Sequence, residues 1–205
     1  PAALRDINEK AFTAWFPQCS PSTIITRDLQ ELRDFRDHHS RIVVKPLDGM
    51  GGKSIFVVNQ GDNNANVIFE TLTKDGSAFA MAQTYIPEIT AGDKRIILVN
   101  GAIPDYALAR VPGADDNRGN LVMGATGELH ELTDRDRWIC EQVGPELVRR
   151  GVIFAGLDVI GDYLTEVNVT SPTGIREIHK LAGVNLAATL MENIEQEITA
   201  RRAAA

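Results

Sequence analysis

The stretch that most constrains the fold is residues 45–58, "KPLDGMGGKSIFVV". Its Gly52-Lys53-Ser54 end matches the last part of the P-loop pattern G-x-x-x-x-G-K-[ST], but Leu47 stands where the first glycine is required. A P-loop must also lead from a strand into a helix, whereas residues 55–58 form a β-branched and aromatic run that predicts a strand. The sequence therefore predicts a glycine loop between two strands, whose backbone N–H groups could hold phosphate, and rejects a P-loop NTPase.

Composition limits the classes of partner that the chain can have. Its 205 residues, 43% hydrophobic and 24% charged, suffice for one large domain or two small ones. The net charge of −7 disfavours nucleic-acid binding. Neither a membrane-length apolar run nor a signal peptide is evident, and two distant cysteines, Cys19 and Cys140, do not suggest a disulfide framework. We expect a cytoplasmic protein without nucleic-acid or membrane partners.

The order of predicted elements indicates an α+β protein with two lobes. Helices are expected after two caps, Asp28 with Glu31 in a capping box and Thr133, and the second helix should end at Gly151. The Asn100-Gly101 pair favours a type I′ hairpin. Strands are expected at 23–26, 42–45, 55–58, 79–86, 94–99 and 102–110, and further helices at 63–72 and 186–198.

The start of the chain already has the pattern of a domain interior. Residues 1–16 place apolar side chains at helical spacing, namely Leu4, Ile7, Ala11 and Trp15. The first residue is proline rather than methionine. We therefore expect that an N-terminal portion precedes this sequence.

The predicted hairpin at residues 153–172 contains a candidate metal site. Strand alternation places Glu166 and Asn168 on one face and two valines on the other, while Asp158 lies on the preceding strand. Two carboxylates and a carboxamide form an all-oxygen set suited to Mg²⁺, although an ordinary solvated strand face would have the same pattern. We expect a three-residue loop, 160–162, which sets Asp158 opposite Leu164 and so on that face. A two-residue turn would instead set it opposite Thr165, on the apolar side.

Four basic side chains are candidates for binding phosphate or carboxylate. Lys45 ends an apolar strand beside the glycine loop and can neutralise phosphate, or can simply extend to solvent from the strand end. Lys53 is expected to point to solvent. Arg95 and Arg110 lie near opposite ends of the Asn100-Gly101 hairpin and are expected to be close to one another across its strands, and their guanidinium groups suit carboxylate or acyl-phosphate oxygens.

Five strings, in one order from about Arg5 to the C-terminus, closely resemble bacterial glutathione synthetase, a family of ATP-grasp ligases: "KPLDGMGG", "MAQTYIPEI", "GDKR", "RGN" and "GLDVIGDYLTEVNVTSPTGIREI". The resemblance implies an ATP-grasp fold of two α+β lobes with antiparallel sheets clasping ATP. It implies a small lobe with its flanking helices and hinge strand in residues 1–90 and a large lobe in 91–205, with an active-site lid at 111–120. It also implies a further N-terminal domain that this sequence does not contain.

The resemblance further implies a reaction and its partners. ATP, with Mg²⁺ or possibly Mn²⁺ bridging its phosphates, phosphorylates the carboxylate of γ-glutamylcysteine. The amine of glycine then attacks the acyl phosphate to give glutathione, ADP and phosphate. The family also implies a homo-oligomer, a tetramer. Two alternatives stay open, namely another ATP-grasp carboxylate–amine ligase and a nucleotide-binding module without turnover.

Site residues follow from the same resemblance, position by position. Arg95 and Arg110 correspond to the catalytic arginines that hold the reacting carboxyl group and the acyl phosphate. The metal ligands correspond to Asp158, Glu166 and Asn168. A substrate-facing turn spans 171–173, so the substrate-binding set is Arg95, Arg110, Asn168, Ser171 and Thr173. The nucleotide-binding set is Lys10, Lys45, Gly49, Met50, Gly51, Gly52, Gln83, Tyr85, Ile86 and Asp93.

Overall fold

A computed structural model describes residues 2–49, 51–111 and 126–203. It contains two antiparallel sheets, as the sequence predicted. The first sheet has the strand order β1-β4-β2-β3, with β1 Thr23–Thr26, β2 Arg41–Pro46, β3 Phe56–Asn59 and β4 Ala80–Thr84. The second has the order β7-β6-β5-β8-β9, with β5 Asp93–Val99, β6 Tyr106–Val111, β7 Thr126–Glu131, β8 Phe154–Ile160 and β9 Tyr163–Asn168.

Helices pack on both sheets. They are α1 Ala2–Asp6, α2 Leu29–His39, α3 Ala65–Thr73, α4 Asp134–Arg149, α5 Ile175–Ala182 and α6 Leu186–Ala203, with 3-10 helices at Ala11–Trp15 and Pro87–Ala91. Across the described residues, none of these helices combines the length and the apolar character needed to cross a membrane.

The first lobe is built on the β1–β4 sheet, which α2 and α3 cover. Leu32 from α2 and Phe69 from α3 are completely buried against Ile42, Val44 and Val58 of the sheet. Helix α2 begins where predicted, because the Asp28 carboxylate accepts hydrogen bonds from the N–H groups of Gln30 (2.6 Å) and Glu31 (3.2 Å).

The predicted capping box at α2 is only half correct. The Glu31 carboxylate does not return to the Asp28 N–H but accepts from the hydroxyl of Thr26. The Asp28 N–H donates instead to Thr26 Oγ1, at 3.0 Å. Thr26 ends the preceding strand, and its hydroxyl therefore lies between the Glu31 carboxylate and the Asp28 N–H, which would bond directly in a capping box.

The second lobe is built on the β5–β9 sheet, and α4 fills its core. Ile139, Val143 and Leu147 of this helix pack against buried residues of β5 and β8. The predicted cap is confirmed: Thr133 Oγ1 accepts from the Asp136 N–H at 3.1 Å, and Asp136 returns to the Thr133 N–H at 3.0 Å. The helix ends at Arg149, just before Gly151.

The first twenty residues pack with the second lobe rather than with the first. Ile7, Phe12, Phe16 and Cys19 belong to its core. The carbonyl groups of this segment also cover the free edge of β9, where Cys19 O accepts from the Leu164 N–H at 2.8 Å. The predicted boundary at residues 90/91 therefore separates the two sheets but assigns this segment to the lobe with which it does not pack. The division into lobes at 1–90 and 91–205 stays a prediction.

The predicted helical spacing at the start of the chain does not produce one helix. Helix α1 ends at Asp6, and a separate 3-10 helix covers residues 11–15. Leu4 is 47% exposed and Trp15 is 62% exposed, so only part of the predicted apolar stripe is buried.

The Asn100-Gly101 turn is confirmed. Both residues have positive φ, 50° and 74°, as a type I′ turn requires, and Val99 forms a bridge with Ala102. The second strand begins later than predicted, at Tyr106, and pairs Asp93 with Arg110. The hairpin therefore brings both predicted arginines to the same end of the sheet.

The chain passes between the lobes twice, at residues 19–23 and 84–93. The two passages lie side by side, because the Thr84 N–H donates to Ser22 O at 3.0 Å and Thr23 pairs with Gln83. The lobes are thus joined by a double connection along one side of the space between the sheets.

Candidate active site

A cleft of about 980 Å³ separates the two sheets. The first lobe supplies an apolar wall from Val43, Phe56 and Val57, and the residues joining the lobes form its inner end. A large concave site with an apolar wall and a few converging polar groups is typical of small-molecule binding. Predicted site residues that line it are Lys45, Gly49, Gly51, Gly52, Gln83, Tyr85, Ile86, Asp93, Arg95, Arg110, Asp158, Glu166, Asn168, Ser171 and Thr173.

Asp158 is the centre of a buried ion-pair cluster. Arg95 binds it with two parallel hydrogen bonds, Nε to Oδ1 and Nη2 to Oδ2, both at 2.7 Å. Arg110 Nη2 lies 2.9 Å from the same Oδ2 and also pairs with Asp93, to which its Nε donates at 3.0 Å. The predicted proximity of the two arginines is confirmed, and two cations balance two anions in the cluster.

The cluster shifts the pKa values of its two carboxyl groups in opposite directions. Burial acts to raise the pKa of Asp158, but Arg110 and Arg95 outweigh burial and hold that pKa below its ordinary value. Burial raises the pKa of Asp93 to about 6; Arg110 opposes this rise, and the nearby Asp158 charge adds to it. Asp158 is therefore firmly ionised, and Asp93 titrates closer to neutral pH.

The register of the β8–β9 hairpin differs from the prediction, although the predicted face is obtained. The loop has two residues, Gly161 and Asp162, because Ile160 pairs with Tyr163. A β-bulge then inserts one extra residue into β9: Val159 pairs with Leu164, and Asp158 pairs with Glu166.

The bulge exchanges the predicted positions of two side chains. Leu164, expected beside the site, is completely buried in the core. Thr165, expected on the apolar side, lines the cleft, and its hydroxyl donates to Asp158 O at 3.1 Å. The predicted three-residue loop is wrong, but Asp158 still shares a face with Glu166 and Asn168.

The chemistry of Asp158, Glu166 and Asn168 fits a hard divalent cation such as Mg²⁺. Two carboxylates and a carboxamide oxygen are few protein ligands, as is usual where phosphate and water complete the coordination of Mg²⁺. Within residues 2–49, 51–111 and 126–203, no cluster of three or more His, Cys, Asp or Glu side chains could hold a metal ion, so the candidate set has two carboxylates and depends on Asn168 for its third ligand. Both oxygens of Asp158 accept hydrogen bonds from Arg95, so a cation would have to share or displace that pairing.

Of the three candidate lysines, Lys45 lines the cleft, and Lys10 contacts two residues that line it. Lys45 is buried, and its Nζ donates to the carbonyl of the bulge residue Thr165 at 3.2 Å. Burial lowers the pKa of Lys45 to about 8, and the negative charge of Glu166 partly offsets this by raising it. Lys10 Nζ donates to Gly49 O at 3.0 Å and lies 3.3 Å from Glu166 Oε1. Lys53 is exposed, as expected.

The glycine loop lies between two antiparallel strands, since Val44 of β2 pairs with Phe56 of β3. This connection confirms that the loop is not a P-loop. Gly49, Gly51 and Gly52 have backbone φ angles of 93°, 72° and 72°, which residues other than glycine rarely adopt. Met50 and residues 112–125, which include most of the predicted lid, lie outside the described residues.

Several cleft residues were not found from the sequence. Arg41 stacks its guanidinium 3.7 Å from the centroid of the Tyr85 ring, and Ile160 and Phe56 add apolar wall. Glu9 also lines the cleft, beside the predicted Lys10. The unbroken apolar run at 55–58, on an edge strand, could have indicated that this strand lines a binding cleft. No local sequence pattern identifies Glu9 as a cleft residue.

Comparison with known proteins shows the family of the chain. The family described as "Prokaryotic glutathione synthetase, ATP-grasp domain" matches residues 9–183. The chain belongs to this family.

Curated members of the prokaryotic glutathione synthetase family are closely similar in sequence. The glutathione synthetase of Xanthomonas campestris pv. campestris is 57% identical over 95% of this chain and 62% of its own length. The glutathione synthetase of Pseudomonas syringae pv. tomato is 52% identical over 98% of this chain and 63% of its own length. The chain thus spans less than two thirds of these relatives.

The solved ATP-grasp ligase PsnB, complexed with a minimal precursor, matches the fold. It has a TM-score of 0.65 and 19% identity, over 94% of this chain and 62% of that chain. The α+β ATP-grasp fold predicted from the sequence is confirmed.

Proposed function

We propose that the chain carries the ATP-binding and carboxylate-activating site of a ligase that joins γ-glutamylcysteine to glycine. One observation carries the proposal: in a member of the prokaryotic glutathione synthetase family, a single cleft brings Lys45, Arg95 and Arg110 together with the opposed carboxylates of Asp158 and Glu166, and Lys10 pairs with Glu166. Phosphoryl transfer depends mainly on positioning and on neutralising charge, and this set supplies both.

The first lobe would hold the nucleotide. The apolar wall and the Gln83–Ile86 segment suit a base, with Asp93 near the ribose, and the N–H groups of the glycine loop suit phosphate oxygens. Lys10 and Lys45 lie where the loop meets β9, so their ammonium groups would neutralise the transferring phosphoryl group. A divalent cation on Asp158, Glu166 and Asn168 would withdraw charge from the same phosphate oxygens when bound.

The second lobe would hold the reacting carboxyl group. A carboxylate oxygen of γ-glutamylcysteine attacks the γ-phosphorus of ATP. The new O–P bond forms as the bond between this phosphorus and the β-phosphate oxygen breaks, and the products are ADP and an acyl phosphate. The amine of glycine then attacks the carbonyl carbon, and phosphate leaves as the amine loses a proton. Arg95 and Arg110, which line the cleft, would stabilise the negative oxygen that forms in this second step.

The Arg95 guanidinium is held for this role by its surroundings. Its Nη1 donates to Thr173 Oγ1 at 3.2 Å, in the predicted substrate-facing turn. A Cβ on Gly156 would lie 3.4 Å from Arg95 Cδ and 3.0 Å from Pro172 Cβ, so the glycine makes room for both. The turn and the arginine are therefore fixed relative to each other before substrate binds.

The test is product analysis with purified protein, ATP, Mg²⁺ or Mn²⁺, γ-glutamylcysteine and glycine. We expect glutathione and ADP in equal amounts, with both lost on omission of γ-glutamylcysteine. Replacing glycine with D-alanine or β-alanine tests the alternative of a different carboxylate–amine ligase. ATP binding without ADP formation in the presence of both substrates would contradict the proposal and favour a nucleotide-binding module.

Two properties of the whole protein belong to the same proposal. Cys19 and Cys140 are buried free thiols, which suits a reducing compartment, and we propose a cytoplasmic location. We also propose a homo-oligomer, a tetramer by family resemblance. Light scattering during size-exclusion chromatography tests the second property, and a monomeric mass would contradict it.

A further inference from the structure

Three consecutive residues at the start of the chain, Asn8, Glu9 and Lys10, contact both sides of the cleft. Asn8 Nδ2 donates to Leu47 O at 3.1 Å, at the beginning of the glycine loop. Lys10 reaches the same loop and Glu166, as described above. Glu9 points to the end of β9 and lines the cleft between these contacts.

Glu9 makes an unusually dense set of hydrogen bonds with one carboxylate oxygen. Its Oε1 accepts from the Val169 N–H at 2.7 Å, and from the N–H and hydroxyl of Thr170, both at 2.9 Å. Its backbone carbonyl accepts from the Val167 N–H at 2.9 Å. Hydrogen bonds to an ionised acceptor are roughly twice as strong as neutral ones, so this carboxylate fixes the chain where β9 ends.

The segment that Glu9 fixes leads directly into the substrate-facing turn. Thr170 precedes Ser171, and both Ser171 and Thr173 line the cleft. Thr173 in turn accepts a hydrogen bond from Arg95, whose other nitrogens hold Asp158. A displacement at Thr170 would therefore pass along residues 171–173 to the arginine that faces the reacting carboxyl group.

We propose that Glu9 is a positioning residue for the carboxylate-activating half of the site. It sets the position of the 171–173 turn and, through Thr173, of Arg95. The role rests on the proposed function, because the turn matters only if it faces the substrate. We expect replacement of the Glu9 side chain to affect the nucleotide half less, since its hydrogen bonds go to Val169 and Thr170 at the end of β9.

The test compares Glu9→Ala, which removes the acceptor, with Glu9→Gln, which keeps a carbonyl oxygen at the same place. In Glu9→Ala we expect kcat to fall about 10- to 100-fold, since misplacing a reacting group by about 1 Å can cost 100-fold. The KM for ATP should change less than about threefold, because removing a contact made with the second substrate leaves nucleotide affinity intact. Glu9→Gln should recover most of the lost rate.

Two measurements separate this role from general stabilisation. Hydrogen exchange at the Val169 and Thr170 amides should accelerate in Glu9→Ala, because both lose their acceptor. Glu141→Ala, which removes an exposed glutamate from α4, is the matched control and should change neither exchange nor rate. An unchanged kcat in Glu9→Ala, or equal losses in kcat and ATP affinity, would overturn the positioning role.

A wild-type protein without ligase activity would overturn the proposed function instead. The positioning role is then decided by calorimetric binding of γ-glutamylcysteine alone. Weaker binding to Glu9→Ala than to wild type supports it, and equal binding overturns it.

Discussion

Replacing Asp158 with asparagine should destabilise the protein strongly, because the carboxylate neutralises two buried guanidinium groups. The side chains of Arg95, Arg110 and Asp158 are 8%, 10% and 7% exposed. Arg110 keeps Asp93 as a partner in the variant, whereas Arg95 loses the carboxylate that binds it with two hydrogen bonds. The uncompensated charge of Arg95 is therefore the main cost.

The magnitude follows from the burial of the pair. Removing one partner of a buried ion pair costs about 3–5 kcal/mol. We expect the lower value, about 3 kcal/mol, because the asparagine oxygen still accepts one hydrogen bond from Arg95. In a chain of this size 1 kcal/mol corresponds to roughly 2–4 °C in Tm, so Tm should fall by roughly 6–12 °C.

The assay is thermal unfolding of Asp158→Asn, Arg95→Met and the double variant, without nucleotide or metal. The double variant should lose clearly less than the sum of the single losses, because it no longer buries an unpaired charge. Asp37→Asn, which changes an exposed carboxylate beside Arg36, is the control and should leave Tm unchanged. Additive losses, or a Tm of Asp158→Asn equal to that of wild type, would refute the reasoning.

Three further predictions concern the lysines and one glycine. Lys45→Ala should weaken ATP binding at least tenfold in calorimetry, since a hydrogen bond from a charged group contributes about 1.5–3 kcal/mol, and Lys53→Ala should leave it unchanged; equal losses would contradict the assignment of phosphate binding to Lys45 rather than Lys53. Because the pKa of Lys45 falls from 10.5 to about 8 on folding, the unfolded chain binds more protons between these pH values. Urea-unfolding stability should therefore rise with pH across that window in wild type relative to Lys45→Met, and parallel pH profiles would contradict this. Gly156→Ala should cost about 1–3 kcal/mol in the same assay, because its Cβ would lie 3.0 Å from Pro172 Cβ, and an unchanged stability would show that the turn yields easily.

Local patterns predicted the elements that local physics determines. The turn at Asn100-Gly101 follows from the positive φ that both residues adopt, and the start of α4 follows from the reciprocal bonds of Thr133 and Asp136. Alternation along β9 correctly placed Glu166 and Asn168 on the cleft side. Each of these predictions needs contacts only between residues close in sequence.

The bulge in β9 could not be predicted by the same reasoning. Counting alternate residues assumes a uniform pleat, so it cannot place an extra residue at Thr165. The bulge reconciles a two-residue turn with the burial of Leu164 and with the placement of Asp158 opposite Glu166.

Contacts between distant segments were likewise beyond local patterns. Arg95 lies opposite Asp158 through the pairing of β5 with β8, and Glu9 reaches Thr170 across 161 positions. Family resemblance identified Arg95 and Asp158 as site residues but not their direct pairing.

The double connection between the lobes has a consequence for how the cleft can open. A single strand joining two bodies permits bending and twisting alike, whereas two strands side by side resist twisting. Rotation about the length of the connection would shear the Thr84–Ser22 hydrogen bond and the Thr23–Gln83 pair, but opening the cleft bends both passages together. Bending about one axis is therefore the lobe motion that this connection resists least, and such bending would carry the glycine loop towards or away from β9.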